Sequence, residues 1–293
     1  MTENRDTPEG IAFAMGAFGL WGFLPLYLKW LEHVPAVEVV AHRVIWSVPV
    51  AGAVLIALGR TDTLRAALRD PKALGMAAVT AALISGNWAV YVYAIASEQA
   101  VQAALGYYIN PLFSVLLGAL LLGERLDGLQ WAAIALAAVA VVVLTIEGGG
   151  VPYIGLALML SFGFYALAKK QLPIGPNQGF LLEVLILTPP ALAYIAWLEG
   201  TGAGSFATAP SLLLGCGLVT AVPLMLYANG AKRLRLSTIG MLQYLAPTMI
   251  LLIAVGLFGE PFGTARAIAF PMIWAALGLY SVSLVRQVRR ARA

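Results

Sequence analysis

Residues 111–124 read PLFSVLLGALLLGE, and residues 247–260 read PTMILLIAVGLFGE. A shift of 136 positions lays the first on the second without a gap. Leucine and alanine coincide by chance in any apolar chain, so the weight falls on rarer residues. Pro111 meets Pro247, Gly123 meets Gly259 and Glu124 meets Glu260. Upstream on the same shift, Tyr108 meets Tyr244, Tyr91 meets Tyr227 and Ala94 meets Gly230. With small gaps, FGLW at 18–21 matches FGFY at 162–165, and Pro49 meets Pro189. The second half of the chain repeats the first.

Composition says what kind of unit is repeated. Of 293 residues, 61% are hydrophobic and 11% charged, against roughly 25% charged in a soluble domain. So few charges cannot cover a soluble fold of this size. A lone cysteine, Cys216, rules out a disulfide scaffold. The hydrophobicity rules out disorder, and a net charge of +4 with no basic domain argues against nucleic-acid binding. What remains is a polytopic membrane protein.

A helix crossing the bilayer needs about 20 mostly apolar residues. Runs free of Asp, Glu, Lys and Arg fall at 10–28, 73–97, 99–123, 128–146, 148–168, 200–231, 236–259 and 267–285. Two further apolar segments, near 37–58 and 178–198, carry charges inside them. The alternation of an outer-membrane barrel is missing. The first run follows Glu3, Arg5, Asp6 and Glu9 without a small-residue cleavage site, and reads as a retained span. The expected fold is an all-α polytopic membrane protein. Its ten transmembrane helices form two five-helix repeats, residues 1–147 and 148–293. An odd number of spans per repeat forces the two into opposite orientations. Inverted repeats of this kind build many secondary transporters, with the solute site near the midplane between the halves.

Orientation follows from Lys and Arg. With the N-terminus inside, fifteen of the eighteen basic residues lie on the cytoplasmic side. Lys29 and Arg266 are outside, and Arg43 lies within span 2. Both termini are therefore expected in the cytoplasm, and the protein in a bacterial-type inner (plasma) membrane.

An enzyme is the main rival class. The chain has two histidines, no HExxH, no phosphate-cradling glycine motif and no GxSxG beside a plausible His and acid. Metal sites lack sufficient ligands. No cofactor, metal or ATPase partner is expected, only a small-molecule solute and the lipid bilayer. A channel or non-transport scaffold is a further alternative, against which the inverted duplication argues.

The candidate site is drawn from polar and aromatic groups in mid-span. Pro111 and Pro247 lie near the middle of spans 4 and 9. Each removes a helical hydrogen bond, freeing the carbonyls of Tyr107 and Gln243, either for a substrate ammonium or merely as packing kinks. Spans 3 and 4 offer Asn87, Trp88, Tyr91, Tyr107, Tyr108 and Asn110. Spans 8 and 9 offer Tyr227, Asn229, Gln243 and Tyr244, and Trp21 and Tyr165 are a matched pair in spans 1 and 6. Rings stack on apolar substrate and amides orient its polar groups. The other role of each residue is core packing or an interfacial belt. Gly16, Gly19 and Gly22 give span 1 a smooth face for close helix approach.

Two charges sit inside spans. Arg43 aligns with Glu183 through the shift of 140 that also joins Pro49 to Pro189. Each is roughly 10 Å from its own end of the span at 1.5 Å per residue, so inverted symmetry puts them on opposite sides of the midplane, apart. Arg43 is open to a pairing with Glu38 beside His42, to a substrate carboxylate, or to snorkelling at the cavity edge. Glu183 is open to pairing with Lys169 or Lys170, or to carrying a proton. Glu124 and Glu260 end their matched segments as solvated or loop-binding carboxylates.

AHRVIWSVP at 41–49 and ALGYYINPLFSVLLGALLLGERL at 104–126 resemble the drug/metabolite transporter superfamily. Within it they are similar to the EamA-type ten-span exporters of the RarD-type branch, and the likeness extends over essentially the whole chain. The resemblance implies efflux of small metabolites. Relatives include exporters of amino acids, among them aromatic amino acid exporters of the YddG type, while the RarD name is tied to chloramphenicol sensitivity. Export of amino acids, aromatic ones included, by alternating access is the expected function. Efflux of amphiphilic drugs such as chloramphenicol is the alternative.

Overall fold

A computed structural model describes residues 7–59, 61–122, 126–147, 150–231, 233–234 and 242–290. The described residues form helices and no strand. In chain order these are α1 (Pro8–Lys29), α2 (Ala36–Ala57), the short α3 (Asp62–Ala67), α4 (Pro71–Ala96), α5 (Ala100–Leu122) and α6 (Gly128–Glu147). The second half follows with α7 (Tyr153–Gln171), α8 (Pro176–Thr201), α9 (Pro210–Ala231), α10 (Leu245–Gly256) and α11 (Thr264–Arg290).

Local chemistry sets the boundaries. Thr7 caps α1, its hydroxyl accepting the Gly10 N–H at 3.1 Å, and Pro8 follows where no helical donor is needed. Asp70 caps α4 in the same way ahead of Pro71. At the end of α8, Gly202 adopts φ 70°, the left-handed turn that closes a helix.

Among the described residues, eight helices are long and apolar enough to cross a membrane: α1, α2, α4, α5, α6, α8, α9 and α11. Two further apolar segments, Tyr153–Lys169 of α7 and the whole of α10, are shorter. Pro111 sits in the interior of α5, as its position in span 4 implies. Pro247 does not match the sequence expectation of a mid-helix kink. It is the third residue of α10, in the first turn, where its missing N–H has no helical partner to lose.

The helices pack in a recurring pattern. In the first half, α1 lies against α9 and α10, and α2 against α9. In the second, α7 lies against α4 and α5, and α8 against α4. α2 meets α8, α5 meets α10 and α6 meets α11. Exchanging helices by the sequence repeat interchanges the first three pairings with the next three and maps each of the last three onto itself. Close approach depends on glycine where α5 crosses α7: a Cβ on Gly106 would overlap the Gly155 carbonyl. In α1 only part of the expected smooth face is used. Gly22 sits on Met249 of α10, whereas Gly19 has nothing within 4 Å.

Candidate functional site

A cavity of about 120 Å³ lies where α1, α2, α4, α5, α7, α9 and α10 converge. Its aromatic wall has two parts. On one side Phe18, Trp21 and Tyr227 form a triangle of rings with centroids 5.7–5.8 Å apart. On the other, Tyr91 meets Tyr107 edge-on at 5.7 Å, and Tyr107 meets Phe162 at 6.2 Å. Aliphatic Leu24, Ile84, Leu224 and Ile250 fill the gaps.

Polar groups are fixed into this wall by specific bonds. Asn87 donates to the Leu158 carbonyl at 3.1 Å and to Ser161 Oγ at 2.9 Å, so α4 is pinned to α7. Its carbonyl oxygen accepts the Tyr107 hydroxyl at 3.2 Å. Asn87 is thus fully engaged and sets the orientation of Tyr107. Trp88, Asn110, Gln243 and Pro247 also line the cavity.

Arg43 is 2% exposed, which excludes snorkelling to solvent. Its Nε donates to Thr220 Oγ1 of α9 at 2.9 Å, and its guanidinium lies over the Trp88 ring, 4.7 Å from the centroid. Among the described residues lining the cavity it is the one charged group. Nη1 of Arg43, the hydroxyl of Tyr91 and Oδ1 of Asn110 are buried without a hydrogen-bond partner among the described residues. Buried polar atoms are normally paired, so unpaired ones at a cavity mark where a ligand or water belongs.

Of the alternatives the sequence leaves open for Arg43, pairing with Glu38 is not the one formed. Glu38 instead accepts the Ser205 N–H at 2.6 Å and the Ser205 hydroxyl at 2.9 Å, anchoring the segment between α8 and α9. The Ser205 N–H ahead of α9 is a backbone donor, which an anionic acceptor such as the Glu38 carboxylate satisfies strongly. His42 accepts the Trp46 indole N–H at 3.1 Å and stacks on Phe206, away from the cavity lining.

Glu183, 1% exposed, pairs with Lys169 at 2.5 Å and accepts the Tyr165 hydroxyl at 3.3 Å. Pairing with Lys169 was one of the sequence alternatives. It draws Tyr165 out of the cavity wall, although Trp21, its repeat partner, stays in it. Tyr108 and Tyr244 also lie outside the lining. They stack on each other at 6.5 Å, and the Tyr108 hydroxyl bonds Thr248 at 2.7 Å. Asn229 is spent on the Met225 carbonyl of its own helix at 2.8 Å. Sequence reasoning overlooked Phe18, Phe162 and Thr220. The first two were within reach, since they open the matched FGLW and FGFY segments. Thr220 carried no signal, because its role exists only once α2 and α9 pack.

At the end of the bundle poor in Lys and Arg, a second carboxylate bridges the halves. Glu260 accepts the N–H groups of Ala100 at 2.7 Å and Val101 at 2.9 Å, capping α5 from across the repeat. Its repeat partner Glu124 lies outside the described residues.

Residues 8–146 match the EamA-like transporter family. The chain is similar to the protein RarD of Streptomyces exfoliatus, 41% identical over all of this chain and 94% of that one. It is also similar to the chloramphenicol-sensitive protein RarD of Pseudomonas aeruginosa, 30% identical over 98% of each. A solved crystal structure shares the fold at a TM-score of 0.61, covering 94% of this chain and 98% of its own at 23% identity. A cavity lined from both halves of a helical membrane bundle accords with these likenesses, and the chain belongs to the RarD-type branch of the EamA-like transporters, in the drug/metabolite transporter superfamily.

Proposed function

We propose that the protein exports amino acids, aromatic ones included, through the central cavity by alternating access. The observation that carries this reading is the cavity itself: rings from both halves surround one buried guanidinium and unpaired neutral polar groups. Such a wall suits a solute with an apolar body and a charged end. In this reading all ten apolar segments span the membrane, in repeats of residues 1–147 and 148–293 with opposite orientation. The exchange symmetry of the helix pairings supports it. The excess of Lys and Arg at one end supports cytoplasmic termini in a bacterial inner membrane.

Two carboxylates then hold the outer end together in reciprocal fashion, Glu38 of the first half on Ser205 and Glu260 of the second on Ala100 and Val101. In this reading these contacts would have to break for the cavity to open to the outside. Glu183 is neutralised by Lys169, which favours transport down an outward gradient over proton coupling through that carboxylate.

The test uses purified protein in liposomes loaded with radiolabelled phenylalanine. Saturable efflux, competed by large neutral amino acids and accelerated by unlabelled solute on the far side, is the expected result. A non-saturating flux without counterflow would identify a channel, and none at all would refute amino-acid transport. A second reading, efflux of a neutral amphiphile, rests on the name of the chloramphenicol-sensitive Pseudomonas relative and on the aromatic wall. Chloramphenicol in the same liposomes separates the two.

A further inference from the structure

The charge of the cavity says more about the solute than its shape does. Among the described residues that line it, Arg43 contributes a positive charge and none contributes a carboxylate. Glu183, which aligns with Arg43 in the repeat, is held by Lys169 and Tyr165 and is not among the lining groups. Glu38 is likewise occupied, on Ser205. Among the described residues, the charge on Arg43 therefore has no counter-ion at the cavity. A guanidinium stays protonated under all ordinary conditions, so burial cannot be relieved by losing the proton.

The geometry around Arg43 restricts what can neutralise it. Thr220 holds Nε and the Trp88 ring holds the guanidinium plane, so the group is fixed in orientation while Nη1 is unpaired. A planar fork with free N–H groups matches a carboxylate better than any neutral acceptor. The Tyr91 hydroxyl, also unpaired, supplies a further donor on the same wall. For an ammonium the cavity offers only neutral acceptors, such as Asn110 Oδ1.

We infer that the cavity recognises its solute through a carboxylate held by Arg43 and Tyr91, and that the solute's ammonium is dispensable. The class of ligand is an organic carboxylate with an aromatic or bulky apolar body, zwitterionic or simply anionic. This deepens the transport reading and rests on the cavity being the transport site.

The experiment compares three probes of one body, phenylalanine, 3-phenylpropionate and phenethylamine, by calorimetry with the purified full chain, alongside flux in liposomes. Expected is binding of 3-phenylpropionate within about tenfold of phenylalanine, and of phenethylamine about a hundredfold weaker, as for loss of a partner to a buried charge. Arg43→Gln should erase that preference. Arg43→Lys, which keeps the charge and loses the fork, should weaken both carboxylate probes while leaving phenethylamine weak. Should Arg43→Gln fail to fold, the wild-type probe series and Arg43→Lys decide the matter alone. Phenethylamine binding as tightly as phenylalanine would overturn the inference even if phenylalanine is transported. Binding of 3-phenylpropionate through Arg43 without phenylalanine binding or flux would keep it while removing the amino-acid reading. Chloramphenicol binding with no carboxylate probe bound would overturn both.

Discussion

Arg43 and Glu183 occupy matching positions in the two halves, carry opposite charges and are almost equally buried. They differ in company. Glu183 has a cation at 2.5 Å and a phenol at 3.3 Å, whereas Arg43 has a neutral hydroxyl, a ring face and one nitrogen with no partner among the described residues. A buried charge with its counter-ion is a structural fastening, and one without is waiting for a ligand. The difference in company at these two aligned positions separates a charge that fastens two helices from one that faces the cavity. The surrounding walls differ in the same sense. Trp88 and Asn110 in the first half stand opposite the aligned Leu224 and Ala246 in the second.

The contrast can be broken from either side. The largest effect is expected at Arg43: Arg43→Gln should lower carboxylate affinity about a hundredfold, read by calorimetry. Glu183→Gln should act on stability instead. It leaves Lys169 without its counter-ion, at a cost of about 2 kcal/mol, less than the 3–5 for a fully buried pair because Lys169 reaches solvent. A denaturation series in detergent checks this, and solute preference should be unchanged. If Glu183→Gln instead alters the pH dependence of transport, Glu183 is a proton carrier and the contrast fails. The double change Lys169→Met with Glu183→Leu should recover most of the lost stability, since apolar replacement of a buried pair is often neutral.

Smaller effects sharpen the same comparison at the tyrosines and the end of the bundle. Glu260→Gln should speed amide hydrogen exchange at Ala100 and Val101, a charged acceptor being worth about 1.5–3 kcal/mol. Unchanged exchange there would remove Glu260 from any role in closure. Tyr91→Phe should cost a few-fold in carboxylate affinity with little change in stability. Tyr108→Phe, losing its bond to Thr248, should do the reverse, by about 1 kcal/mol. Equal effects of the two on affinity would show that the cavity wall is wrongly drawn.

Helix positions were legible in the chain because hydrophobic length and charge-free runs are local properties. Each expected span has a described helix, although α7 and α10 are short. Tyr91, Tyr107, Asn110 and Gln243 were found as cavity groups because polarity in mid-span is visible in sequence. Tyr108, Tyr165, Tyr244 and Asn229 gave the same signal and point elsewhere. One residue along a helix turns a side chain by about 100°, so Tyr107 faces the cavity and its neighbour Tyr108 faces Tyr244. Sequence alone gives depth and leaves azimuth open.

The chain by itself thus determined that this is a helical membrane protein, because apolar runs need no folded context to be seen. Only the tertiary structure decided which charge is paired. Lys169 lies fourteen residues before Glu183, and Thr220 lies 177 residues after Arg43. The first pair meets only when successive helices fold back on each other, the second only when helices far apart in sequence pack side by side.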